Sequence, residues 1–268
     1  MCKFIARDNN KILETSQKLA PAIRNEKMKN SLTIYFQEEK RSKRKGGLYH
    51  KTQVNLAYNS NKIEGSKLTE EQTRYIFETR TIGFINHESV SVDDIIETNN
   101  HFIAFDFLID TIEKPLSNNI IKEFHRILKT GTSDASKDWF NVGEWKKLPN
   151  EVGGIATTLP KDVENEMTLL NDNYNSKSKI VFEDIIEYHY NFEKIHPFQD
   201  GNGRVGRLIL FRECLRNDII PFIIDDEHKQ FYYRGLKEFE TVQEYLIDTC
   251  LSAQDTFKEW VKYFYENL

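Results

Sequence analysis

The chain has 268 residues and a formal net charge of −5, with 37 Lys and Arg against 42 Asp and Glu. That balance argues against a dedicated nucleic-acid binder, which is usually basic. The small numbers of Gly (12) and Pro (6) exclude collagen-like, linker-rich and turn-dense all-β chains. Three Cys cannot build a disulfide framework, no window approaches ~18 uncharged apolar residues, and Met1-Cys2-Lys3-Phe4 leads into no apolar leader core, so the expectation is a soluble cytoplasmic protein with no membrane partner. The length suits one large domain or two small ones.

Residues 1–50 read as an N-terminal extension packed on the main domain. The basic run Lys40, Arg41, Lys43, Arg44, Lys45 and Lys51 around Gly46-Gly47 reads as a solvated helix end and loop, because one short run rarely sets function. Ile95, Ile96, Phe102, Ile103 and Phe105 predict a helix over 92–113, and Ile120, Ile121, Phe124, Ile127 and Leu128 predict a second, stopped at Gly131. The segment 142–158, with Pro149, Asn150 and Gly153-Gly154 between short β-prone runs, reads as a hairpin. Val163, Met167 and Leu170 make a third helical stripe, with Pro160 at its start. Phe182, Ile185, Ile186, His189, Phe192 and Ile195 make a fourth. Val205, Leu208, Ile209, Phe211 and Leu215 make a fifth, apolar on most sides and therefore central. Phe257, Trp260, Val261 and Phe264 mark a closing amphipathic helix. The fold class is mainly α with one β-hairpin.

The chemistry concentrates in His196-Pro197-Phe198-Gln199-Asp200-Gly201-Asn202-Gly203-Arg204-Val205-Gly206-Arg207. A residue before proline is pushed out of the α conformation, so the fourth helix ends near His196. Gly201-Asn202-Gly203 permits tight or left-handed backbone before the apolar helix begins. A helix N-terminus presents unpaired N–H groups and partial positive charge, and glycines there let an anion approach closely. Arg204 and Arg207, three residues apart, add two planar donor forks for phosphate oxygens. Asp200 beside phosphates calls for a shared Mg²⁺, and the imidazole of His196, with an ordinary pKa of about 6.5, suits proton abstraction near neutrality. The parts describe a polyphosphate site with one general base and one metal ligand. They fit neither a P-loop nor a zinc site.

These residues resemble the Fic (fido) family, whose signature His-x-Phe-x-Asp/Glu-Gly-Asn-Gly-Arg-x-x-Arg is satisfied by 196–207 at every specified position. The resemblance implies a Fic-type helical core over 91–250, an N-terminal helical extension over 1–90 and a C-terminal helix over 251–268. It implies transfer of AMP from ATP to a Ser, Thr or Tyr hydroxyl of a target protein, or of the chain itself. His196 is then the general base and Asp200 the Mg²⁺ ligand. Gly201, Asn202, Gly203 and Arg204 hold the phosphates, Arg207 holds the γ-phosphate, and Phe198 anchors the loop. The hairpin, with Gly153, Gly154 and Ile155, becomes a flap that aligns the target by strand addition. Arg204 rather than Lys favours nucleotidyl over phosphoryl transfer. Tyr232 and Tyr233 correspond to aromatic positions near the adenine, while Glu240 replaces the Asn that many members use to read the adenine edge.

Ser60-Asn61-Lys62-Ile63-Glu64-Gly65 resembles the family's inhibitory motif, Ser/Thr-x-x-x-Glu-Gly/Asn. Glu64 can give Arg207 a bidentate acidic partner and take it from the γ-phosphate, with Ser60 one turn earlier on the same face. Four alternatives stay open: transfer of another nucleotide or phosphodiester group, removal of AMP from a modified target, a non-catalytic nucleotide-binding regulator, and a homodimer as the assembled form.

Overall fold

Helical residues 32–42 (α1) lead into α2 (Leu48–Ile63), α3 (Glu70–Thr79), α4 (Val92–Thr111) and α5 (Asn118–Lys129). A hairpin of β1 (Glu151–Val152) and β2 (Ile155–Ala156) follows, then α6 (Val163–Asn175), α7 (Phe182–Ile195), α8 (Asn202–Arg216), α9 (Lys229–Glu238) and α10 (Glu244–Tyr265). This computed structural model describes residues 32–83 and 89–265; the part of the predicted extension before residue 32 lies outside them.

The central helix is where the apolar run put it. In α8 every residue from Arg204 to Leu215 is buried, and α7, α4, α5 and α2 all pack on it. Phe36, Phe105 and Phe211 meet edge-on with ring centroids 5.5–6.1 Å apart, an arrangement favoured by the ring quadrupoles. Phe36 belongs to α1, so the extension shares one core with the main domain. Arg212 is fully buried in α8, where it pairs with Glu213 and donates to the carbonyls of Thr111 and Lys114. It thereby satisfies the end of α4, whose last carbonyls have no helical partner.

Helix ends follow local chemistry. Thr69 and Gln72 form a reciprocal capping box that starts α3. Gly131, with φ 81°, lies just past α5. Pro160 does not open α6; Asp162 is its N-cap and the proline sits in the preceding turn. The last helix begins at Glu244, so the boundary expected at 250/251 falls inside α10. The basic run is solvated from Arg41 to Lys45, while Lys40 is drawn to Asp110 and the Asp106 carbonyl. No described helix is long and apolar enough to cross a membrane.

Replacing Phe211 by Ala should cost about 3–5 kcal/mol, because a large ring is lost from a site with no room to collapse. Ile103→Ala, at a position 46% exposed, should stay within about 0.5 kcal/mol. Urea denaturation of both variants checks the contrast.

Candidate active site

Helix α7 ends as predicted. His196 is its C-cap in a left-handed conformation (φ 51°, ψ 62°), with its N–H donating to the Phe192 carbonyl. The loop then folds inward. Phe198 is fully buried and stacks on His125, centroids 4.0 Å apart and planes 6° from parallel. Asn202 clamps the loop: its Oδ1 accepts from the Phe198 N–H at 2.8 Å and its Nδ2 donates to the Phe198 carbonyl at 2.9 Å. Its side chain therefore belongs to the loop rather than to the expected cradle. Gly201 takes φ 83° at the N-cap of α8, and the first helical bond runs from the Val205 N–H to the Gly201 carbonyl. The N–H groups of Asn202, Gly203 and Arg204 thus precede the helical ladder and have no helical acceptor, the arrangement that a helix N-terminus offers to anions. Gly203 is inside the helix, and what it supplies is space, since a Cβ there would strike the Glu64 carboxylate.

A charged network encloses this end. Asp200 accepts from Lys129 at 2.7 Å and from Arg204 at 3.0 Å. Glu97 of α4 joins the same two cations, at 2.6 Å from Lys129 and in a close pair with Arg204. Burial alone would raise the Asp200 carboxyl, but Arg204 and Lys129 outweigh it and hold it far below the usual range. The Asp200 side chain remains 46% exposed, an ionised carboxylate at the edge of the network. No cluster of three or more metal-ligating side chains occurs among the described residues. One exposed carboxylate beside an anion site fits a Mg²⁺ shared with phosphates rather than a protein cage.

Arg207 is buried and faces α2. Its Nη2 donates to Glu64 Oε1 at 2.6 Å and to the Ser60 carbonyl at 2.9 Å, while Nε donates to Ser60 Oγ at 3.0 Å. Burial works against the guanidinium's charge, but Glu64 more than restores it. Gly65 explains how Glu64 is aimed. It ends α2 with φ 98°, its N–H donating to Lys62 and that of Ser66 to Asn61, the paired bonds of a Schellman turn. The spacing from Ser60 to Gly65 therefore encodes a helix end with its last carboxylate fixed over α8.

The hairpin is shorter than the segment suggested, two residues per strand, with Glu151 opposite Ala156 and Val152 opposite Ile155. Gly153 and Gly154, at φ 58° and 79°, make the two-residue turn that this tight connection requires. Ile155 is 64% exposed. The aromatic pair separates. Tyr232 is a core residue, 1% exposed, with its hydroxyl 2.6 Å from His189 Nε2, so the expected adenine contact is not open at this side chain. Tyr233 is 43% exposed and donates to the Ile63 carbonyl at the end of α2. Glu240 faces α7, bonded to Lys194 and Tyr190.

Residues 115–213, from the turn before α5 to the buried part of α8, match the Fic/DOC family. The chain carries a Fic/DOC domain. Protein adenylyltransferase Fic of Aedes aegypti is 30% identical over 193 residues, covering 67% of this chain and 36% of that protein. The protein of the same name from Nematostella vectensis is 29% identical over 190 residues, covering 68% and 42%. The chain thus spans well under half the length of these relatives. A Fic-domain signaling protein from Bacteroides thetaiotaomicron superposes with TM-score 0.70 at 23% identity over 89% of this chain and 94% of that one. Fic-1 from C. elegans gives 0.66 at 21%, over 95% and 76%. At these identities the structures speak for the fold.

Glu64, Tyr232 and Tyr233 lie outside the matched Fic segment, yet the fold brings Glu64 onto it. Sequence reasoning missed Glu97 and Lys129, which complete the charged network around Asp200 and Arg204. The available signal was a charged residue on an apolar stripe. Glu97 is one helical turn from His101, and Lys129 one turn from His125, both fully buried.

The protein core also holds several buried imidazoles. Burial pushes His101, His125 and His189 down to about 3, and His196 to about 4. The unfolded chain protonates these groups near the ordinary 6.5, so unfolding takes up protons below that value. Glu193, raised to about 8 by burial, and Glu213, also raised, act in the opposite sense but are fewer. The urea midpoint should therefore fall as pH drops from about 6.5 towards 4. A flat or rising midpoint across that window would contradict the neutral, buried imidazoles.

Proposed function

We propose that this chain is a protein adenylyltransferase that transfers AMP from ATP to a hydroxyl of a protein target or of itself, and that Glu64 restrains it. The observation that carries the reading is the imidazole-bearing end of α7 set against a glycine-rich helix N-terminus that carries two buried arginines. The names of the relatives agree with it.

The chemistry follows from the groups present. The target hydroxyl oxygen attacks the α-phosphorus, its proton passes to His196, the bond to the oxygen bridging towards the β-phosphorus breaks, and pyrophosphate leaves. A base held neutral is ready to accept that proton at pH 7, and such catalysis contributes about 10²–10⁴-fold. The free N–H groups of Asn202, Gly203 and Arg204, with the Arg204 guanidinium, offset the charge developing on the phosphates. Asp200 would hold Mg²⁺, which supplies further charge neutralisation to the phosphates. The hairpin's free edges suit an extended target segment. In the resting state Glu64 occupies Arg207, so the γ-phosphate lacks its guanidinium and meets a carboxylate instead. The buried free thiols of Cys214 and Cys250 are compatible with a reducing, cytoplasmic setting.

Intact-mass spectrometry after incubation with each nucleoside triphosphate and Mg²⁺ tests the reading. Wild type should gain little, Glu64→Gly should gain one or more AMP units from ATP, and Glu64→Gly with His196→Ala should gain none while still binding ATP. A gain from another donor would change the substrate. Equal labelling of wild type and Glu64→Gly would remove the restraint. No labelling of the chain or of proteins in a lysate would remove the transferase.

A further inference from the structure

Lys146 has no place in the chemistry above, yet it is among the most buried charges in the chain, 3% exposed. It forms no ion pair among the described residues. Its three ammonium protons meet three neutral acceptors instead: Asn150 Oδ1 at 2.7 Å, Thr157 Oγ1 at 2.6 Å and the Ile195 carbonyl at 3.3 Å. That set exhausts the donors of a lysine. Burying an unpaired cation is costly, and Lys146 is pushed down to about 8 by burial alone.

The three acceptors belong to three separate pieces of the site. Asn150 immediately precedes β1 and Thr157 immediately follows β2, so one ammonium grips both roots of the hairpin. Ile195 is the last residue of α7, directly before His196. The Lys146 N–H adds a fourth tie, donating to the Pro197 carbonyl at 2.9 Å. Asn150 also bonds to the Thr157 hydroxyl at 2.6 Å and to the Phe198 carbonyl at 3.1 Å. Two-residue strands with every residue exposed cannot hold their own position. Their placement has to come from the roots.

We propose that Lys146 is a positioning residue that ties the hairpin to the base-bearing end of α7, holding the strand along which the target lies at a set distance from His196. This rests on the transferase reading for its purpose, but not for its test. Lys146 also bears on the imidazole directly. The groups acting on His196 are the Lys146 ammonium from the hairpin segment, the Glu193 carbonyl from α7, Glu64 from α2 and Asp200 from the loop. After burial, Lys146 is what disfavours the imidazolium most, and the other three favour it.

The experiment uses the full chain with Lys146→Met, Lys146→Arg and Thr157→Val. Hydrogen exchange of residues 150–157 reads the tether, and NMR titration of ¹³C-labelled histidine reads the charge, with the His196 signal assigned by its loss in His196→Ala. Lys146→Met should speed exchange across the hairpin and raise the His196 midpoint. Lys146→Arg should keep the midpoint low and restore part of the protection. Thr157→Val should speed exchange without moving the midpoint, and it decides the tether should Lys146→Met not fold. In the Glu64→Gly background, Lys146→Met should lower kcat/KM for the target at least tenfold with ATP binding intact. Unchanged hairpin exchange in Lys146→Met or Thr157→Val would overturn the proposal, as would equal transfer with and without Lys146. A Glu64→Gly parent that transfers nothing would instead defeat the transferase reading, while exchange and titration would still decide Lys146.

Discussion

A guanidinium cannot be buried without an acceptor, and Arg207 is buried on the central helix α8. That constraint organises the active end of the molecule. It draws Ser60 and Glu64 onto α8 across 147 and 143 residues of sequence. A glycine at 203 leaves the space that the incoming carboxylate fills, and a helix-ending glycine at 65 aims that carboxylate. A partner that completes the apo protein this well also competes with any anion that needs the same arginine.

The second pairing has the same logic with a different consequence. Lys129 and Arg204 share Glu97 and Asp200 between them, so two cations and two carboxylates balance inside the fold. Glu97 is largely covered, whereas Asp200 is nearly half exposed. Glu97, the more covered acid, keeps the cations in place, while the Asp200 side chain is left partly open to solvent. Removing one member of such a network is far more damaging than the net worth of any pair, because the survivors stay buried and unmatched.

Much of this was readable from the sequence. The central helix was visible because Leu208 to Phe211 make it apolar on most sides. The end of α7 was visible because Pro197 forbids the helical conformation just before it. The Gly153-Gly154 turn announced the hairpin, although not how short its strands are, since both faces lie open to solvent and no burial pattern limits them. Glu97 and Lys129 showed only as charged residues on apolar stripes and their partners were not readable, because such a residue looks the same whether it reaches solvent or a buried partner. Tyr232 and Tyr233 were indistinguishable as neighbours, and only the fold turns one to the core and the other outward. The clamp role of Asn202 was hidden for a similar reason: its partners are backbone atoms of Phe198, which carry no sequence signal.

The central claim is that Arg207 is shared in alternation between Glu64 and a nucleotide. A crystal structure of Glu64→Gly with a non-hydrolysable ATP analogue and Mg²⁺, beside wild type under the same conditions, tests it most directly. The expected result is the triphosphate lying along the N–H groups of residues 202–204, with the γ-phosphate on Arg207 only in the variant and His196 facing the α-phosphorus. A nucleotide bound elsewhere, or a γ-phosphate on Arg207 while Glu64 still holds its place in wild type, would contradict it.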